Sequence, residues 1–396
     1  MWTRISIVTN AARAATLASC VLLVGTPAAA GITNAPPPSN PTGAVTETIA
    51  EGLVHPWAMQ FLPDGRIIVS ERPGAIRIVG KDGRLGKALP GAPAVAATGQ
   101  GGMLDIALSP DFARSGQVFI SFSEPRGSFG SNGTSVARAR LVLEAGRERL
   151  ENIKIMFRQL PSRSGGLHFG SRLAFAPDGK LFVTLGERYQ KLHAQDLKGH
   201  LGKVVRLDPD GSVPDDNPFA GKKGEKFGAK PEIWSYGYRN PQAAAISPRT
   251  GKLWTVEHGA KGGDEINIPR AGKNYGWPVI TYGRDYSGAK IGIGQSHPGM
   301  EQPVYYWDPS IAPSGMAFYS STRFPAWQGN LFVGALKFRS LYRLVLKGDQ
   351  VIGQERLLHN LGHRIRDVRQ GPDGALYVLT DSARGQIIRV EPKPIK

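Results

Sequence analysis

Four short segments hold the residue types that could do chemistry. His168 stands in Gly165-Gly166-Leu167-His168-Phe169-Gly170-Ser171-Arg172. Small neighbours let a backbone approach a ligand closely and leave an imidazole accessible for proton transfer. A lone histidine is more often structural, so the residues alone leave its role open. The second segment is Tyr236-Gly237-Tyr238-Arg239-Asn240-Pro241-Gln242. The third runs from Glu257-His258-Gly259-Ala260-Lys261-Gly262-Gly263-Asp264-Glu265-Ile266-Asn267 into Asn274-Tyr275-Gly276-Trp277-Pro278. A glycine-rich loop with neighbouring carboxylates and inward-turned carbonyls suits a hard cation such as Ca²⁺. It lacks EF-hand spacing, and an acidic turn explains it equally well. The fourth is Arg364-Ile365-Arg366-Asp367. Strand alternation puts both arginines on one face. There they can grip a polycarboxylate through paired hydrogen bonds, or pair with surface acids.

The elements that must position these residues repeat along the chain. Six times a glycine turn leads into a short apolar strand: Pro63-Asp64-Gly65 before Ile67-Ile68-Val69, Ser115-Gly116 before Val118-Phe119-Ile120, Pro177-Asp178-Gly179 before Leu181-Phe182-Val183, Thr250-Gly251 before Leu253-Trp254-Thr255, Gln328-Gly329-Asn330 before Leu331-Phe332-Val333, and Pro372-Asp373-Gly374 before Leu376-Tyr377-Val378. Long helical periodicity is absent, and 50 glycines and 30 prolines favour many turns. The spacing predicts an all-β fold, a six-bladed β-propeller of about four strands per blade, with these strands as inner ones. An irregular β-sandwich is the competing architecture. Large loops are expected near residues 188–230 and 284–312. Dinucleotide-binding glycine loops, Walker loops, nucleophile elbows and His-Glu-x-x-His are all missing.

The chain of 396 residues carries a net charge of +17. So basic a chain points to an anionic partner or simply to a basic surface. The densest cluster, Lys222, Lys223, Lys226 and Lys230, reads as a loop, and no nucleic-acid-binding signature accompanies it. Residues 1–30 read as a signal peptide: Arg4 and Arg13, an apolar run from Ala14 to Val24, then small residues before a cut after Ala30. Cys20 is the only cysteine and sits in a weaker, lipoprotein-like context. Cleavage would leave no thiol for disulfides or catalysis. Residues 31–45, rich in proline, read as a flexible leader, and 46–396 as the propeller.

Taken in order, the segments resemble the soluble PQQ-dependent glucose and aldose sugar dehydrogenase family (PQQ is pyrroloquinoline quinone), and the aldose branch most. The resemblance spans about Val54 to Val390. It rests on the four segments and on His55-Pro56-Trp57, Gly99-Gln100-Gly101-Gly102-Met103-Leu104-Asp105 and Phe332-Val333-Gly334-Ala335-Leu336-Lys337. It implies oxidation of aldoses at the anomeric carbon to lactones, with PQQ and Ca²⁺ as cofactors. His168 matches the catalytic base, with Glu187 orienting it. Gln100, Arg239, Asn240, Tyr286, Lys337, Arg364 and Arg366 match PQQ contacts. Gly259 and Ala260 match the carbonyl ligands of the PQQ-bound Ca²⁺, and Glu265 with Tyr275 a further calcium site. Ala260 stands where the family usually has proline, which costs rigidity and not a donor atom.

The expected protein is therefore periplasmic or secreted, a monomer or weak dimer, with aldoses as substrates and an unknown electron acceptor. It is expected to bind no nucleic acid and to have no transmembrane segment. A calcium-dependent propeller lactonase and a non-catalytic carbohydrate-binding propeller are the alternatives. Neither needs the basic clamp of Lys337, Arg364 and Arg366.

Overall fold

All six turn glycines adopt positive φ, from 65° at Gly116 to 86° at Gly65, a region that side chains with a Cβ avoid. That requirement is why the repeat is visible in the sequence. A computed structural model describes residues 31–393; the expected signal peptide and Cys20 lie outside the described residues. Six four-stranded antiparallel sheets form the blades of a β-propeller. Blade 3 runs in order Gly170–Phe175, Leu181–Leu185, Lys203–Leu207 and Ile233–Tyr236, and blades 1, 2, 4 and 5 follow the same pattern. In blade 6 the strands Ile365–Gln370, Leu376–Thr380 and Gly385–Glu391 are completed by Val45–Leu53 from the other end of the chain. This pairing locks the ring.

The first strands of neighbouring blades touch around the axis: Pro56–Phe61, Met103–Leu108, Gly170–Phe175, Pro241–Ile246, Pro313–Phe318 and Ile365–Gln370. The apolar strands that follow the turns are thus second from the axis, not the channel-lining ones. Both their faces pack on neighbouring blades, so they are apolar throughout. Ile68, Ile120, Val183, Val256, Val333 and Val378 are each fully buried in the cores between blades. Removing one such side chain costs about 2–5 kcal/mol.

Two other expectations change. Residues 31–44 do not hang free. Gly31 N donates to the Tyr282 hydroxyl at 2.9 Å, Gln354 N to Pro36 O at 2.9 Å, and Thr42 N to Glu355 Oε1 at 2.8 Å. Prolines remove donors but keep the chain extended, and such a chain can lie along the blades. The lysine-rich stretch forms a short helix, Gly221–Phe227, ended by Gly228 at φ 59°. The long connections span residues 186–202, 208–232 and 268–304, close to those anticipated.

Strand direction sorts the loops. First strands begin, and second strands end, at the same end of the channel, here called the mouth. The six glycine turns lie at the far end.

Candidate active site

His168 lies just before the first strand of blade 3 and Glu187 just after its second, so antiparallel pairing brings them together at the mouth. His168 Nδ1 is 2.9 Å from Glu187 Oε1. Both side chains are buried. Glu187 is itself held, its Oε2 accepting from Gln190 N and its own N donating to Arg239 O at 2.9 Å. Gln100 Oε1 accepts from His168 N at 2.9 Å. Gly186 permits this approach: a Cβ there would stand 2.1 Å from His168 O. His168 bears φ 52°, a strained conformation for a residue with a side chain. With Nδ1–H committed to Glu187, Nε2 is left as the acceptor. Burial pushes the imidazole below its ordinary pKa; the Glu187 hydrogen bond opposes this and Arg239 adds to it. The neutral form of the ring is therefore favoured, with Nε2 free to accept a proton.

Two cavities flank this pair. One, about 380 Å³, sits on the axis and is lined by Arg72, Gln100, Gln242, His258, Arg364, Arg366 and Asp381, with Trp57 and Phe169. The other, about 160 Å³, is lined by Glu187, Tyr189, Lys191, Arg239, Trp277, Asp285 and Tyr286. Arg364 and Arg366 reach the same acceptor, Asp381 Oδ2, at 3.3 and 3.0 Å. Burial pushes Asp381 up, but Arg366 and Arg364 together hold it down at about 2. The arginine pair engages one acid, Asp381, which leaves one positive charge of the two uncancelled. Arg239 lies 5.5 Å over the Trp277 ring. Asn240 Oδ1 accepts from Gly170 N and Gln242 Nε2, while its buried Nδ2 has no partner.

The glycine loop is pinned by buried Asp264, which accepts from Gly259 N, Ile311 N and Ala312 N. A Cβ on Gly259 would fall 2.1 Å from Gly262 O, so the loop closes only on glycine. Ala260 faces the smaller cavity. Behind the loop, Glu257 and Glu265 are cross-strand partners beside a space of about 10 Å³, the scale of one water or ion. Burial pushes Glu257 up to about 7, and burial plus Glu257 push Glu265 well above the usual range. The Tyr275 hydroxyl is engaged elsewhere, donating to Ile268 O and accepting from Arg270 N. Any ligand role for Tyr275 therefore falls to its carbonyl. Lys337 is exposed, its ammonium 5.3 Å over the Phe338 ring; Leu336, not Lys337, lines the cavity. Tyr286 is 64% exposed at the rim of the smaller cavity.

Beneath the axial cavity lies a buried network that the sequence reading missed. Arg172 bonds Asp105 at 3.1 Å and Asp367 at 3.0 Å, and sits 4.1 Å over the Trp57 ring. Arg369 bonds the same two acids. Four charges from three channel strands floor the cavity. Removing one partner would leave an uncompensated buried charge, at about 3–5 kcal/mol. No local pattern marks them. Asp381 did have a signal. Five second strands run into an acid at the mouth: Glu71, Glu124, Glu187, Glu257 and Asp381, with Lys337 in the sixth place.

The fold is that of the six-bladed β-propellers, here with a buried histidine–carboxylate pair beside an arginine-lined axial cavity. More narrowly, the chain belongs to the glucose/sorbosone dehydrogenase family, whose model matches residues 53–389. It is 48% identical over 356 residues to the aldose sugar dehydrogenase YliI of Escherichia coli (strain K12), covering 89% of this chain and 94% of that protein. The structure resembles the soluble aldose sugar dehydrogenase of Escherichia coli in its apo-form, with TM-score 0.85 and 47% identity over 88% of this chain and 100% of that one. It also resembles the PQQ-bound form of the aldose sugar dehydrogenase of Streptomyces coelicolor, with TM-score 0.73 and 29% identity over 90% of this chain and 100% of that one.

Proposed function

We propose that the protein oxidises aldose sugars at the anomeric carbon to lactones, using PQQ and Ca²⁺. The observation that carries this reading is the buried His168–Glu187 pair, with Glu187 lining the aromatic cavity and the neighbours Phe169 and Gly170 of His168 lining the arginine-lined axial one. The residues present fit both groups. The axial cavity is of small-molecule size, and Arg72, Arg366 and Arg364 offer a polycarboxylate more charge than Asp381 cancels. Asn240 Nδ2 and Trp277 Nε1 are buried donors without partners. For calcium, the carbonyls of Gly259 and Ala260 are hard oxygen donors on a loop fixed by Asp264. The Glu257–Glu265 pair, with the Tyr275 carbonyl, fits a second divalent cation that would offset their repulsion.

When bound, PQQ supplies a hydride-accepting quinone carbonyl and Ca²⁺ polarises it. The chain does the rest. His168 Nε2 takes the proton of the anomeric hydroxyl, and Glu187 steadies the imidazolium that forms. Tyr189, Trp277 and Tyr286 offer aromatic faces to the sugar ring in the smaller cavity, with Lys191 and Asp285 for its hydroxyls. Gln100 and Arg239, bonded to the two ends of the His168–Glu187 unit, keep it aligned with both cavities.

Purified apoprotein titrated with PQQ by calorimetry, with and without Ca²⁺, and then assayed with aldoses and a dye acceptor tests the reading. Saturable, calcium-dependent PQQ binding and aldose-dependent dye reduction are expected. No PQQ binding, or a loaded protein inert towards every aldose, would overturn it. Export is expected from the same reading and from the signal-peptide pattern of residues 1–30. N-terminal sequencing should then find Gly31 first. Among the described residues no helix is long and apolar enough to cross a membrane.

A further inference from the structure

One stretch of surface beside the mouth exposes several of the largest apolar side chains. Phe129 is 97% exposed, Leu192 75% and Ile293 59%, next to the exposed rings of Tyr189 and Tyr286. Contacts of intervening residues connect them. Ser164 Oγ donates to Phe129 O, and neighbouring Arg163 reaches His193 at 3.5 Å. His193 shares the turn Lys191–Ala194 with Leu192, and Tyr189 and Tyr286 border one cavity. Lys290 Nζ donates to Ile293 O at 3.0 Å. Large apolar side chains gathered and exposed in this way mark contact with another molecule. Cations border them. Lys191, Lys261, Arg284 and Lys290 are exposed, and none forms an ion pair among the described residues. Two acids lie near them: Asp285 accepts from Ser287 N and Oγ, and Asp196 stands 3.9 Å from His193.

We infer that this face docks an acidic, one-electron redox protein that removes the electrons of sugar oxidation; the inference rests on the function proposed above. The charge decides the partner. A chain of net charge +17 with unpaired cations at this rim repels basic proteins and steers acidic ones to it. An apolar centre with a charged rim is the anatomy of a protein interface, whereas a small soluble acceptor needs neither. The site lies on the channel axis, so an acceptor protein has to approach from this end. The balance is simple. An aldose becoming a lactone loses two electrons and two protons. Two ferric haem proteins each take one electron, and the protons pass to water.

Cytochrome b5, an acidic haem protein, serves as the probe, and a basic cytochrome c as the contrast. The holoenzyme, loaded with PQQ and Ca²⁺, is mixed with sugar and each haem protein across a salt series. The double variant Arg284→Glu/Lys290→Glu should keep its melting temperature and dye-coupled turnover. It should lose about tenfold or more of the cytochrome b5 rate at low salt, and most of that rate's salt dependence. The variant Leu192→Ser/Ile293→Ser should slow cytochrome b5 reduction while leaving the salt dependence in place. Wild-type rates and salt slopes in both variants would overturn the inference. So would binding to phosphatidylglycerol vesicles that the charge reversal abolishes while cytochrome reduction stays intact. Absent dye-coupled turnover in the wild type would bring down the sugar-oxidising reading, and this inference with it.

Discussion

The mouth and the far end of the channel treat charge and backbone in opposite ways. At the far end, the acids of the glycine turns are matched locally. Asp64 pairs with Arg66 at 2.8 Å, Asp178 with Arg206 at 2.7 Å and Asp373 with Arg389 at 2.8 Å, while Arg249 and Lys252 of the Gly251 turn pair with Asp349 from the turn between Ser340–Lys347 and Gln350–Leu357. Exposed pairs of this kind are worth about 0–1 kcal/mol each, so they cancel charge more than they stabilise. In the six turns there, positive φ falls on glycine. At the mouth it falls on glycines and also on His55, His168, Arg188, Tyr189, Ala312 and Arg339. There Glu187, Glu257 and Asp381 are bonded to His168, Arg239 and Arg366, and the rim cations Lys191, Lys261, Arg284 and Lys290 form no ion pair among the described residues. One end is made to be inert; the other holds strain and uncancelled charge where a ligand can use them.

That contrast can be broken or sharpened by substitutions at each end. The largest effect is expected from His168→Gln. Loss of the proton acceptor should lower kcat about 10²-fold or more, with melting temperature and PQQ affinity nearly unchanged. In the wild type, only the neutral ring accepts a proton, and burial lowers its pKa. The acid limb of the kcat/KM profile should therefore fall below the ordinary histidine value of about 6.5. A limb above it would refute the neutral, buried base.

Next is the clamp. Arg366 lines the cavity, so Arg366→Ala should weaken PQQ binding about ten- to a hundredfold in a titration, the loss of one charge-assisted contact. Lys337 is exposed and outside the cavity lining, so Lys337→Ala should lose less. The reverse order would mean that ligand binding draws Lys337 inward. Calcium comes third. EDTA should lower the melting temperature and Ca²⁺ restore it by a few degrees, because binding to the folded state alone stabilises it. Glu265→Gln should remove part of that gain while calcium-dependent PQQ binding at the Gly259 loop persists. The smallest effect belongs to the far end. Arg249→Ala/Lys252→Ala should cost no more than about 1 kcal/mol by denaturant melts and leave kcat untouched. A clear kcat change there would end the division between the two ends.

The propeller was legible because each blade needs a glycine at positive φ followed by a strand buried on both faces. Both demands are local and leave residues in fixed order. The depth of that strand was not legible: which strand of a blade faces the axis depends on how the blades close into a ring, and nothing within the strand states it. Within the site, His168 stood out by its glycines and Arg364 and Arg366 by their alternation. What they touch did not, since Glu187 is 19 residues from His168, and Asp381 is 15 from Arg366.

The sequence by itself therefore determined the blade count, the chemical character of the site and the basic excess of the chain. Tertiary structure decided how these are distributed. It docked residues 31–44 against the blades, turned the Tyr275 hydroxyl away from Glu265, kept Lys337 at the surface, and joined Arg172, Asp105, Asp367 and Arg369 into a floor under the cavity. The physical reason is range. Turn geometry and strand burial act over a few neighbouring residues, whereas the pairing of a buried charge depends on which distant strand the ring closure brings beside it.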